Sequence, residues 1–303
     1  MHLGLPILGL TGKGASSRVF VGDFDTYATG LTRLIGRRRL LTSYPSTSPL
    51  FRVRRSSDNA ETDVAGGPSG VVDVVALKAW RDAAGAATLF CVKAYDQTGG
   101  GNHFSAPSTA TQPSIYTAGA LPNETMFVCD NTDDNLLCDV NSASAAVKSF
   151  LIYSGDPGTT YPKCLVEYGP SQLIGTGTNA LYLQVIVGDA NPTEGNLGNT
   201  TAGFNYSRGQ ITSGYNGGLF GVLTPAAGSA ATDSMHFWRN GASQTVTALT
   251  AGAGNSAGPF TAQKWRIGAR SDGSLPAPSH IYAFAEWDAD KSANAAAISA
   301  IQL

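Results

Sequence analysis

Charge is scarce in this sequence. Only 14% of its 303 residues are Asp, Glu, Lys or Arg, and the formal net charge is −2. Such a balance supplies no general attraction to nucleic acid or to anionic lipid. No apolar run approaches the roughly 20 residues that a membrane-spanning helix needs, so membrane insertion is not expected. The start, MHLGLPILGLTGKG, is apolar but lacks a basic leading region, a long apolar stretch and a small-residue cleavage site; a secretory signal is not expected. The four cysteines, Cys91, Cys129, Cys138 and Cys164, form no C-x-x-C pair, and His2, His103, His236 and His280 are scattered. These spacings exclude the usual structural zinc sites and suit small, buried thiols in a reducing compartment. Cys129 and Cys138 are the two that a hairpin could bring together. There is no coiled-coil heptad, collagen tract or sustained repeat, which excludes a trimeric fibre shaft. Near Gly99–Gly101 neither G-x-G-x-x-G nor a following Gly-Lys-Ser/Thr occurs, so that loop is no phosphate cradle.

What the chain does have is 36 glycines among many Ser, Thr, Ala and Asn, a mix suited to short strands joined by tight turns. Residues 1–20 read as an arm. Its Leu3, Leu5, Ile7, Leu8 and Leu10 are interrupted by Gly4, Pro6 and Gly9, which forbids a stable helix. Two readings stay open for it: a strand laid on the domain's own core, or a peptide that docks on a partner protein. Residues 21–303 read as one domain. From Thr26 to Tyr44 the spacing of Leu31, Leu34, Ile35 and Leu41 predicts a helix, with Arg33, Arg37, Arg38 and Arg39 as a basic face. Phe51 and Val53 alternate with Arg52 and Arg54 as in a strand, and Asp58, Glu61 and Asp63 stand ready to pair with these arginines. Asp73 is placed to cap a helix running to about Ala84, with Val74, Leu77 and Trp80 on one face and Gly85 ending it.

Strands are then expected at Ala87–Tyr95, Met126–Cys129, Leu136–Cys138, Val147–Tyr153, Lys163–Tyr168, Ala180–Val187, Gly218–Leu223, Ser234–Arg239, Gln244–Leu249, Gln263–Ala269 and His280–Trp287. Asp290 caps a short terminal helix holding Ala296, Ile298 and Ile301. Many strands, few helices and no βαβ rhythm predict an all-β, antiparallel sandwich.

Several stretches carry a resemblance. FRVRRSSDNAETDV, then AYDQTGGGNHF, then QPSIYTAGAL, together with NTDDNLL, HFWRNGASQTV, WRIGARSDG and IYAFAEWDADKSANAAAISA, are similar to the arabinofuranosidase-B-type domain. This is the concanavalin/laminin-G-like jelly roll of family 54 glycoside hydrolases, and the resemblance covers about residues 26–303. It implies a jelly-roll sandwich with a few short helices. Such domains also resemble modules of bacteriophage and phage-like particles: tail fibres, head fibres and capsid decorations that hold polysaccharide without cutting it. Met1, the lack of a signal peptide and the short apolar arm direct the expectation there.

The expected function is therefore a structural and adhesive component of such a particle. The arm (Leu3, Leu5, Ile7, Leu8) would attach to capsid or tail proteins, and the domain would bind host cell-surface polysaccharide. The protein would be made in the bacterial cytoplasm, sit on the virion surface and form a homo-oligomer. Two alternatives stand beside this: an arabinofuranosidase-like glycoside hydrolase, and a decoration protein that binds no sugar. A retaining glycosidase needs two carboxyl groups about 5–5.5 Å apart. Glu167 in CLVEYG and Glu286 in AFAEWD are the candidates on strands, with solvated strand faces as the competing reading; Asp189, Glu194, Asp233 and Asp272 are assigned to loops. None matches the family's catalytic motif, so no enzyme is expected. Sugar binding is assigned to a long loop from Glu194 to Phe220, with Phe204, Tyr206, Arg208, Tyr215 and Asn216 as contacts, because it mixes rigid aromatics with adaptable polar groups. No cofactor is expected. The oxygen-rich Asp130–Asn135 turn offers Ca²⁺ ligands without EF-hand spacing, and an ordinary Asx turn is the simpler reading.

Overall fold

Alternation at Phe51 and Val53 does produce a strand, and its partners show how the domain is built. The computed structural model describes residues 20–116, 127–130, 132–155, 163–169, 180–185, 193–199, 205–211, 217–224, 235–250, 260, 262–269 and 279–303. The front half holds β1 (Leu31–Gly36), β2 (Pro49–Arg55), β3 (Glu61–Ala65), helix α1 (Val74–Asp82), β4 (Leu89–Ala94), β5 (Phe104–Ser105) and β6 (Ser114–Tyr116). Then come β7 (Phe127–Cys129), β8 (Leu136–Cys138), β9 (Lys148–Gly155), β10 (Lys163–Tyr168), β11 (Ala180–Val185), β12 (Thr193–Asn199) and β13 (Asn205–Ile211). The chain closes with β14 (Gly217–Leu223), β15 (Met235–Arg239), β16 (Ala242–Gln244), β17 (Thr247–Thr250), β18 (Trp265–Ile267), β19 (Ser279–Trp287) and helix α2 (Ala295–Ser299).

All described strand pairs are antiparallel, and their ladder folds into two walls. The first runs β16–β15–β14–β9–β19, with β1 and β7 side by side along the far edge of β19. The second runs β3–β2–β4, continues through β5 to β8, and then crosses β18, β10, β11, β12, β13 and β17. A single β6–β7 pairing joins the walls at one corner. Between them lies an aromatic core. Trp265 of β18 meets Phe150 of β9 and Phe284 of β19 at 5.6 and 5.0 Å between ring centroids, and Phe104 of β5 meets Phe284 at 5.5 Å. Two inner faces closing on one apolar layer make this the expected β-sandwich.

Helix α1 forms as its signals require: the Asp73 carboxylate accepts from Val75 N and Ala76 N, Leu77 is buried, and Gly85 follows with φ of +77°. The predicted helix at 26–44 is not there. After a short 3-10 turn at Asp25–Tyr27, the chain becomes β1, paired with β19. Arg33, Leu34, Ile35 and Gly36 are all buried, so both faces of this strand are covered. A strand covered on both faces loses its two-residue alternation, and the spacing of its leucines then imitates a helix. At the other end, Asp290 accepts from Ser292 N, but a 3-10 turn precedes α2, and Ile301 lies beyond the helix. The arginines around β2 pair within the chain: Arg52 binds Asp63 through two nitrogens, and Arg55 does the same with Asp58.

The AYDQTGGGNHF stretch turns out to be a clasp. The buried Asp96 carboxylate accepts from Leu34 N, Thr98 N, Thr98 Oγ1 and Asn102 N. Gln97 accepts from Leu40 N and donates to Arg38 O. One short loop thus satisfies the buried backbone on both sides of the β1 exit. All four cysteines are buried free thiols, so Cys129 and Cys138 are not joined.

Candidate functional site

The two carboxylates that sequence placed on strands have different surroundings, and neither sits on a solvated face. Glu286 of β19 is fully buried at the interior of the sandwich. Arg33 of β1 donates to one of its oxygens; Ser142 Oγ and Lys148 Nζ donate to the other, Lys148 at 2.8 Å. Lys148 is itself fully buried, donates also to Ser142 Oγ and Asp288, and lies 5.1 Å from the Tyr168 ring centroid on the opposite wall. Arg33 is further held by the Cys138 thiol and the Val140 carbonyl. Burial opposes ionisation of Glu286, but Lys148 and Arg33 outweigh it and hold the carboxyl below its usual range. Burial pushes Asp288 up, against the bond from Lys148. With both oxygens engaged by Arg33, Ser142 and Lys148 in the interior of the sandwich, Glu286 is scaffold.

Glu167 of β10 is also buried, at 1% exposure, but its position differs. Val166 and Tyr168 on either side of it belong to the core, so Glu167 is on the face of the second wall turned away from that core. Directly opposed residues of an antiparallel ladder share a face. The register therefore lays out one transverse row: Leu137, Arg266, Glu167, Tyr182, Asn196, Arg208 and Thr250. The adjoining row on that face is Gln184, Glu194, Gln210 and Thr247, and on the other side lie Ala180, Gly198 and Tyr206. The intervening rows are apolar or small, with Val166 in line with Leu183, Gly195, Gly209 and Ala248. Arg266 Nη1 donates to Asn135 Oδ1 at 2.7 Å, which ties this face to the Asp130–Asn135 turn.

This layout corrects the expectation of a long loop between Glu194 and Phe220. Tyr206 and Arg208 are on β13, Glu194 is on β12, and β14 begins at Gly217. Three glycines in β12 and β13, Gly195, Gly198 and Gly209, lower the intrinsic strand preference, and cross-strand pairing overrides it. Phe204, Tyr215 and Asn216 lie outside the described residues, as do Leu3, Leu5, Ile7, Leu8, Asp189, Asp233 and Asp272. Residues that sequence reasoning missed are Tyr182 and Gln184, together with Glu194 as a strand residue. The alternation of Leu181 and Leu183 with Tyr182 and Gln184 was the available signal.

The turn at Asp130 is an Asx turn: its carboxylate accepts from Thr132 N and Asp133 N, while Asp134 accepts from Asp130 N. The carboxylates of Asp130, Asp133 and Asp134 lie within 4.8 Å of one another. Burial, reinforced by the neighbouring Asp130 and Asp133, pushes Asp134 up to about 7.

No family model matches the chain. Known proteins do. It is 30% identical over 200 residues to an alpha-L-arabinofuranosidase B of Penicillium canescens, covering 59% of this chain and 42% of the relative. It is 36% identical over 128 residues to a probable alpha-L-arabinofuranosidase B of Aspergillus fumigatus, covering 38% and 24%. The chain resembles the family 54 arabinofuranosidases. A solved arabinofuranosidase in complex with arabinofuranosyl-alpha-1,2-xylobiose superposes with a TM-score of 0.58 at 17% identity, over 92% of this chain and 64% of the other. At that identity the superposition shows a shared fold, the β-sandwich. The chain spans less than half the length of these two curated relatives.

These findings overturn the particle reading. The curated relatives are glycoside hydrolases and none is a fibre or a decoration protein, so the expectations of a phage structural component and of a non-enzyme fall. Capsid or tail partners and a virion-surface location fall with them. The sequence led there by weighing the missing catalytic motif and the apolar start above the motifs shared with the hydrolases.

Proposed function

We propose that this chain is an arabinofuranosidase-like glycoside hydrolase domain whose substrate face is the outer side of β10–β13. The observation that carries the reading is the position of Glu194. It is the sole carboxylate in β11, β12 and β13, it lies on a central strand, and the register flanks it with Gln184 and Gln210. Tyr182, Asn196 and Arg208 form the next row on the same face, and Tyr206 lies beyond it. Amides and a guanidinium are the groups that bind sugar hydroxyls, and aromatic rings bind the apolar faces of sugars.

Glycoside hydrolysis of this kind uses two carboxyl groups and water, and calls for no cofactor. Glu194 is one carboxylate of the proposed pair. Glu167 is its partner on the same face, two strands across and one two-residue step along. On ordinary sheet spacings their Cα atoms are about 12 Å apart, a separation that the length of two glutamate side chains can bring within the roughly 5–9.5 Å that glycosidases use. Arg208 and Tyr206 hold the sugar beside them.

The test is release of arabinose from a chromogenic arabinofuranoside and from arabinose-bearing polysaccharide. The parent chain is expected to release it, and Glu194→Gln to abolish release without loss of the folded state. No release by the parent, or full release by Glu194→Gln, would overturn the assignment.

A further inference from the structure

Large apolar side chains left in water are few among the described residues, and three of the four belong to segments that converge where Phe20 meets Gly70. Val21 is 72% exposed, Val71 56% and Val75 76%. Between them sits a fixed anchor. The Phe20 ring lies under the Arg39 guanidinium at 3.8 Å and presses on Gly70, where φ is +77° and an added Cβ would come within 2.3 Å of the ring. Val21 follows Phe20 and Val71 follows Gly70, so the two valines flank one contact; Val75 is four residues further along the chain, in the first turn of α1.

We propose that this patch is the seat of the chain's own N-terminal segment, with Leu3, Leu5, Ile7 and Leu8 closing over Val21, Val71 and Val75. The segment enters the domain beside the patch, at Phe20. The ten residues from Leu10 to Phe20 can span about 35 Å when extended, ample to turn back onto a neighbouring surface. Residues 11–17, TGKGASS, supply that turn with small and glycine residues. A tether this short also gives the segment an effective concentration on the order of millimolar at the patch, which no separate partner matches in dilute solution. Of the two readings open for the arm, this is docking on its own domain. It stands independently of the hydrolase assignment.

Thiol reactivity tests it, because the four native cysteines are buried and react slowly. Val75→Cys is made in the 303-residue chain, alone and together with Leu3→Ser, Leu5→Ser, Ile7→Ser and Leu8→Ser. The rate of modification by a small maleimide is followed at low and high protein concentration. The expected result is several-fold slower modification in the chain with its native arm, at a rate independent of protein concentration. Val71→Cys provides the same reading at a second position. Equal rates with and without the serine substitutions at both positions would overturn the proposal. Protection that grows with protein concentration would overturn it too, since the occupant would then be a second copy of the chain.

Discussion

Glu286 and Glu194 are both glutamates on central strands of the same sandwich, one in each wall, and the chain treats them in opposite ways. Glu286 points into the interior, where Arg33, Lys148 and Ser142 use both of its oxygens. Glu194 takes a register position among amides, an arginine and a tyrosine on the other side of a sheet. On the proposed reading, a strand carboxylate acquires its role from the residues opposite it. Cations on both oxygens make Glu286 an interior strut, whereas the proposed role of Glu194 rests on Gln184 and Gln210, the residues directly opposite it.

The sharpest way to break this comparison is to neutralise each glutamate in turn. Glu194→Gln is expected to lower arabinofuranoside hydrolysis by roughly a thousandfold or more while leaving the urea midpoint nearly unchanged. Lys148→Met should do the reverse. It strips a buried carboxylate of one cation, and unfolding in urea should show a loss of about 3–5 kcal/mol. A fold unaffected by Lys148→Met would remove the distinction between strut and site.

A pH series sharpens the same contrast. The Glu286 carboxyl is held below its usual range, so the stability it contributes is full above the unfolded value and lost as pH falls through the folded one. Asp134 works the other way. Burial raises it from 3.8 to about 7, so between those limits the folded chain keeps a proton that the unfolded chain has lost. Stability should therefore decline as pH rises from about 4 to 7, and Asp134→Asn should flatten that slope in thermal melts. Smallest of all is the effect at the surface: Arg52→Ala removes the exposed pair with Asp63 and should cost no more than about 1 kcal/mol.

The sandwich was legible because its signals are local. Asp73 and Gly85 bracket α1, and Leu181 and Leu183 alternate along β11 as a half-covered strand should. β1 was misread because covering both of its faces erased the alternation. The proposed substrate face was only half legible. Tyr206 and Arg208 stand out by type, but what aligns Arg208 with Asn196, Tyr182 and Glu167 is register across four strands, and register between segments far apart in sequence leaves no mark on any one of them. Glu286 fell to the same limit: its cations come from residues 138 and 253 positions away.

The pairing of β1 with β19 has a consequence in time. Thr32 Oγ1 bonds to the Glu286 carbonyl across 254 positions, and the Trp287 indole bonds to the Tyr27 carbonyl across 260. Closing such long loops before any contact compensates for them slows folding, so this domain is expected among the slow β-proteins, at milliseconds to seconds or longer. On the ribosome the first strand lacks its β19 partner until some 254 further positions have been made. Leu34 and Ile35 wait exposed through synthesis, and a chain stopped short of β19 leaves its own beginning unpaired.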